Sequence, residues 1–242
     1  MLRSPNYGPR KHSLGPDMIV LHYTAMETAE AAIDRLCDSA TEVSAHYVIA
    51  EDGTVTQLVA DADRAWHAGA GQWGCVTDVN SHSVGFELAN KGPDSDAPAF
   101  PDAQMVALER ELARVMADFN IPPERVIGHS DMAPCRKFDP GPFFDWKRLA
   151  DKGLSVWVNS AAPPTIDLHP SAFRTAAFCF GYRPTDHSDE SWQIVLDAFR
   201  LRFRPFMSGP LDVSDISIIS QLAEKWPCQA VDQGSLIALL ND

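Results

Sequence analysis

The chain of 242 residues is short of positive charge: 20 Lys and Arg stand against 33 Asp and Glu, a formal net charge of −13. The deficit runs along the whole chain, −9 over residues 1–150 and −4 over the remainder, so it is not an acidic tail. Such a field excludes the clustered basic face that tracking DNA or RNA requires and describes a well-solvated surface. Long apolar runs are also missing. No window is long enough to span a bilayer, and the N-terminus has neither a signal-peptide core nor a lipid-attachment pattern. As printed, the chain reads as cytoplasmic; it reads as periplasmic if a leader has been removed. Cysteine is sparse, odd in number and scattered (Cys37, Cys75, Cys135, Cys179, Cys228). That excludes a disulfide framework and paired zinc knuckles. Internal repeats, low-complexity tracts and the His-Glu-x-x-His helix of zinc peptidases are absent too.

What is present is an ordinary globular composition, 45% hydrophobic and 22% charged. Residues 1–16, rich in Pro, Gly and basic side chains, predict an extended N-terminal arm. Asp17 to Tyr23 is a continuous apolar run that predicts a buried strand, with His22 at its end. Thr28 to Leu36 has helical periodicity with Thr28 as cap. Val43 to Ala50 and Val55 to Val59 predict strands around an Asp52-Gly53 turn. Ala65 to Asn80 is loop-like, Ser83 to Ala89 predicts a strand containing Glu87, and Asp102 to Phe119 is a strongly amphipathic helix. Arg125 to Ile127 closes the set. This order predicts an α/β fold, a mixed central sheet of about five strands flanked by helices, over residues 17–158. Residues 159–169 have linker composition. Beyond them, in 170–242, Ser171 to Phe180, Glu190 to Phe203 and Ser214 to Trp226, the last with Ser214 as cap, predict a small three-helix domain.

The stretch Gly128 to Trp146 sets a histidine, carboxylates, a cysteine and a lysine among prolines and glycines, which predicts a stiff, shaped loop. A catalytic zinc site needs three protein ligands and an open position. His22, His129 and Asp139 could supply the three, although spacing alone does not bring His22 to His129. His12, His82, His169 and His187 read as ordinary surface or hydrogen-bonded residues.

From about Asp17 to Trp157 the chain resembles the type 2 N-acetylmuramoyl-L-alanine amidases, whose fold is shared by the peptidoglycan recognition proteins. The matching stretches are Val20-Leu-His-Tyr-Thr24, Ser44-Ala-His-Tyr-Val-Ile49, Arg64-Ala-Trp-His-Ala-Gly69, Asn80-Ser-His-Ser-Val-Gly-Phe-Glu-Leu88, Gly128-His-Ser-Asp-Met-Ala-Pro134 and Arg136-Lys-Phe-Asp-Pro-Gly-Pro142, in the family's order. The resemblance implies one zinc ion on His22, His129 and Asp139, with Cys135 as the rival third ligand. It implies Glu87 as general base and Lys137 as the cation that stabilises the oxyanion. Trp66, His67 and Asn80 match the loop lining the substrate groove; His46 reads as buried and structural. The implied reaction is hydrolysis of the amide between N-acetylmuramic acid, or its anhydro form, and L-alanine, in cell-wall recycling or turnover. The implied partners are muropeptides or peptidoglycan fragments. A non-catalytic recognition module on the same fold is the alternative. Residues 170–226 resemble, more weakly, a three-helix peptidoglycan-binding domain.

Overall fold

A computed structural model describes residues 3–11, 15–92, 99–159 and 169–228. His12, most of the expected linker and residues 229–242 lie outside the described residues. Strand β1 (Tyr7–Pro9) is followed by β2 (Met18–Tyr23), which holds the apolar run. Helix α1 (Ala29–Cys37) starts at Thr28, whose hydroxyl accepts from the Ala31 amide at 3.2 Å and so satisfies one free helix donor. Strands β3 (Tyr47–Ile49) and β4 (Val55–Gln57) flank the Asp-Gly turn, where Gly53 adopts φ 86°. Then come β5 (Asp63–Ala65), the one-turn helix α2 (Val79–His82), β6 (Ser83–Leu88), α3 (Asp102–Phe119) and β7 (Val126–Gly128). The short helices α4 (His129–Met132) and α5 (Trp146–Asp151) precede α6 (Pro170–Phe180), α7 (Asp189–Phe203) and α8 (Val213–Lys225). No helix among the described residues is long and apolar enough to cross a membrane.

The main sheet runs β4-β3-β6-β2-β7, parallel except for β4, so the fold is α/β with a five-stranded mixed sheet. Side chains alternate along each strand. Ile19 and Leu21 of β2 and Val84, Phe86 and Leu88 of β6 pack with Leu108, Leu112 and Val115 of α3 on one face. Met18 and Val20 face the other way and share a core with Phe173, Phe180, Phe199, Ile216 and Ile219 of the C-terminal helices. The three helices are therefore built onto the sheet. Gly181, which ends α6, leaves room for the Trp73 ring: a Cβ there would lie 2.4 Å from Trp73 Cε2.

Two local expectations are corrected, the extent of the strand from Val43 and the cap of α8. The N-terminal arm is docked on the domain: β1 pairs with β5, and Arg10 donates to the carbonyls of Asn80, Ser81, Ser83 and Asp61. The expected strand Val43 to Ala50 is regular only from Tyr47. Ahead of it the His46 ring takes the Gly85 amide at 2.9 Å, a donor that a ladder would otherwise use. The loop from Gly128 to Trp146 opens with a helical turn, α4. Helix α8 is capped by Asp212, whose carboxylate accepts from the Ser214 and Asp215 amides, and not by Ser214.

Candidate metal centre

The register of the sheet assembles the site. His22 pairs with Glu87 across β2 and β6, and Leu21 pairs with Gly128, so His129 follows immediately beyond β7. Three neighbouring parallel strands thus deliver His22, Glu87 and His129 at their carboxyl ends, where ligand sites of parallel sheets form. The Asp139–Pro140 peptide bond is cis, and the loop returns so that Asp139 O accepts from the Ser130 amide at 3.0 Å. Asp139 Oδ2 then lies 2.9 Å from His22 Nδ1 and 3.0 Å from His129 Nδ1, while the two Nδ1 atoms are 2.9 Å apart. All three residues are buried. Cys135 is exposed and stands outside this group.

Hydrogen-bond direction shows what the trio offers. Ser83 Oγ gives its proton to the Val79 carbonyl at 2.6 Å, so it accepts from His67 Nε2 at 3.1 Å. His67 Nδ1 is then a lone pair, accepting from His22 Nε2 at 2.9 Å, which leaves His22 Nδ1 unprotonated. His129 Nε2 donates to the Ala68 carbonyl at 2.8 Å, leaving its Nδ1 unprotonated as well. Two imidazole lone pairs and a carboxylate oxygen at this range repel unless a positive charge sits among them. A single proton or a divalent cation supplies it, and N,N,O donors with outer nitrogens held by protein acceptors are the pattern of a zinc-type site.

Electrostatics support neutral imidazoles. Burial, then His129, lowers His22 to about 4. Burial, then His22 and His46, holds His67 well below its usual value. Burial pushes the Asp139 carboxyl up, but hydrogen bonds to His129 and His22 outweigh it and keep the carboxylate ionised. Glu87 goes the other way: burial, then Asp139, raises it well above the carboxylate range, with Lys137 partly opposing. Its Oε2 is buried without a hydrogen-bond partner.

The trio floors a cavity of about 360 Å³ whose walls include Glu87, Lys137, Trp66, Arg35 and Arg136. Of the expected groove residues, Trp66 lines it and is half-buried. His67 reaches its wall, but both ring nitrogens are spent on His22 and Ser83. Asn80 is not among the residues lining the cavity: it is buried behind the loop, where its amide oxygen accepts from the His67 and Ala68 amides at 3.0 and 2.8 Å. His46 is buried, with Nδ1 accepting from Gly85 and Nε2 facing the Asp63 carbonyl. Sequence reasoning missed Ser83, and also Asp131, whose carboxylate accepts from the Gly128 amide at 2.8 Å and pins the turn that carries His129. One available signal was Gly85 inside a strand, since a Cβ there would lie 2.5 Å from the His67 ring.

Comparison with known proteins identifies the family. Residues 12–142 match the family model described as N-acetylmuramoyl-L-alanine amidase. The amidase AmiD of Escherichia coli K12 is 32% identical over 232 residues, 86% of this chain and 83% of that protein. The 1,6-anhydro-N-acetylmuramyl-L-alanine amidase AmpD of the same organism is 34% identical, over 60% of this chain and 87% of its own. Among solved structures, E. coli AmiD in complex with anhydro-N-acetylmuramic acid-L-Ala-D-γ-Glu-L-Lys has TM-score 0.79 at 30% identity, covering 93% of each chain. AmpDH3 of Pseudomonas aeruginosa also has TM-score 0.79, at 31% identity, covering 94% of this chain and 97% of its own. The chain belongs to the N-acetylmuramoyl-L-alanine amidase family.

Proposed function

We propose that this protein is a zinc amidase that hydrolyses the bond between the lactyl carbonyl of N-acetylmuramic acid, or its anhydro form, and L-alanine of the stem peptide, in cell-wall recycling or turnover. The observation that carries the catalytic assignment is the unpartnered, buried Glu87 Oε2 beside the His22–His129–Asp139 trio. A buried carboxylate oxygen left without a partner is costly and is poised to take a proton. His22 Nδ1, His129 Nδ1 and Asp139 Oδ2 would hold the ion, which when bound polarises the amide carbonyl and acidifies water.

Glu87 accepts the proton of the attacking water; its raised affinity for protons suits a base that must hold the proton and then return it. It delivers that proton to the alanine nitrogen as the C–N bond breaks. Lys137, on the wall of the same cavity, donates to the oxygen that gains charge. Trp66 supplies an apolar wall for the sugar, and Arg35 and Arg136 offer charge to the carboxylates of a stem peptide. His67 and Ser83 hold the proton of His22 on Nε2. Turnover of an anhydro-muramoyl tripeptide by wild type and Glu87→Gln, with zinc content measured in both, tests the reading. Zinc retained with turnover lost is expected. Undiminished turnover removes Glu87 from the mechanism, and muropeptide binding without any wild-type turnover marks a recognition module.

A further inference from the structure

Trp73 and Val76 exchange backbone hydrogen bonds at 3.0 and 2.9 Å around a two-residue turn, Gly74-Cys75, in which Gly74 takes φ 58°. The Gly74 amide donates to the Gly181 carbonyl at 2.8 Å, and the Cys228 amide donates to the Cys179 carbonyl at 2.7 Å. The turn and the chain leaving α8 are therefore both hung on the end of α6. Cys75, Cys179 and Cys228, scattered in the sequence, are brought together there.

Side-chain direction selects one pair. The Cys228 sulfur takes the place of the side chain that Gly74 lacks, since a Cβ on Gly74 would collide with Cys228 Sγ. A disulfide spans about 4.4–6.8 Å between α-carbons. The Cys75 α-carbon is one peptide step, about 3.8 Å, from the α-carbon on which that sulfur rests. Cys179 is held near Cys228 through its backbone only. In the last turn of α6 its carbonyl points past the helix end to the Cys228 amide, while its Cβ tilts back toward the helix start. Cys75 is exposed at the tip of its turn and Cys228 is half-buried, so an outside reagent meets Cys75 first.

The chemistry follows from these exposures. The Cys75 thiolate attacks a low-molecular-weight disulfide, forms a mixed disulfide and releases one small thiolate. Cys228 then gives up its proton, its sulfur attacks Cys75 Sγ, and the second small thiol leaves. One external disulfide is reduced to two thiols while two protein thiols become one disulfide. Burial raises the Cys228 thiol, and Arg125 and Arg183 oppose that rise. The Arg183 guanidinium is close enough to feel all three sulfurs, and it favours the Cys228 thiolate that the second step needs.

We propose that Cys75 and Cys228 form a reversible disulfide, a redox-closed staple that ties the end of α8 to the loop behind the metal turn. That loop reaches the turn directly: the Gln72 amide donates at 2.7 Å to the carbonyl of Met132, the last residue of α4.

The test uses the full chain carrying Cys135→Ser, which removes the other exposed thiol. The protein is equilibrated with oxidised or reduced glutathione, alkylated, and its peptides are mapped without reduction. A Cys75–Cys228 linked peptide is expected in the oxidised sample and should vanish with dithiothreitol. The oxidised form should melt on the order of 10 °C above the reduced form, because the bond closes the long loop from 75 to 228. Adding Cys75→Ser or Cys228→Ser should abolish both the link and the rise, and adding Cys179→Ser should leave both. All reduced forms should melt together, which separates a lost bond from a damaged fold. A Cys179–Cys228 link, a glutathione retained on Cys75 in its place, or a dimer joined through Cys75 overturns the proposal. A Cys75–Cys228 link that leaves the melting midpoint unchanged overturns the staple.

Discussion

Replacing Arg202 with Met should loosen the metal centre from a distance. Arg202 sits in α7, 2% exposed, and its guanidinium reaches Asp131 Oδ2 at 2.8 Å, the Val126 carbonyl at 3.0 Å and Ser155 Oγ at 3.1 Å. Asp131 is fully buried and also accepts from the Tyr182 hydroxyl at 2.5 Å and the Gly128 amide at 2.8 Å. Methionine fills much of the volume of the arginine stem but leaves the Asp131 carboxylate without its counter-ion. Breaking one side of a buried pair costs about 3–5 kcal/mol, a large share of the ~5–15 kcal/mol that holds a domain together. The melting temperature should fall by on the order of 10 °C.

The local consequence is sharper than the global one. Asp131 and Arg202 grip β7 at Val126 and the α4 turn at Gly128, the two ends of the segment that presents His129. Slack there should move His129 Nδ1 off its partners and weaken zinc binding by about 10–100-fold, the usual cost of losing an outer support of a metal ligand. Urea unfolding of metal-stripped protein reads the first effect, and zinc competition against a chromogenic chelator reads the second. Arg202→Met with Asp131→Asn removes the orphaned charge, so most of the stability should return. A single variant that loses under ~1 kcal/mol, the worth of a surface pair, would refute the claim that the C-terminal helices brace the metal turn.

Two further predictions follow from imidazole geometry. His67→Phe should weaken zinc by about 10–100-fold, and His67→Asn, whose amide oxygen can replace the Nδ1 acceptor, should recover much of the loss; equal affinities in the two variants would remove His67 from the support of His22. Burial, then Arg10, lowers the buried His46 to about 3. A depressed histidine contributes stability that is present above its unfolded value near 6.5 and lost as pH falls toward about 3. His46→Asn keeps an acceptor for Gly85 and does not titrate. Its urea-derived stability should therefore vary less with pH across that window, and an unchanged slope would contradict the linkage.

Much of the scaffold was legible in the chain. The run Met18 to Tyr23 and the amphipathic stretch Asp102 to Phe119 each satisfy one packing demand over their whole length, and both elements stand within a residue of where periodicity puts them. The trio was legible as residue types, but its closure depends on a parallel register that sets Leu21 beside Gly128, a long-range pairing that no local pattern encodes. The groove loop was least legible. Trp66, His67 and Asn80 are polar or aromatic residues in a glycine-rich loop, and nothing local says which turn inward. Asn80 is drawn in by two backbone amides of the loop that need an acceptor, and His67 enters the space left by the missing side chain of Gly85. Arg202 and Tyr182 read as periodic helix and loop residues because their partner, Asp131, is 71 and 51 residues away.

The loop after β7 carries opposing demands that explain its composition. One edge presents His129, Lys137 and Asp139 to the cavity, where backbone freedom would cost positional accuracy. The other must be held by residues that never meet substrate. The sequence meets both by alternation: between His129 and Met132 it inserts Asp131, which turns away from the metal to meet Arg202 and Tyr182, and between Lys137 and Asp139 it inserts Phe138, which turns outward to solvent at 62% exposure. The first makes the metal turn depend on the C-terminal helices for its counter-charge. The second sets an exposed apolar ring on the rim of that cavity. Because the same few residues serve the candidate metal site, the helices and the rim of the cavity, damage at any one of the three should register at the others, and zinc affinity should fall with helix packing even where no ligand is touched.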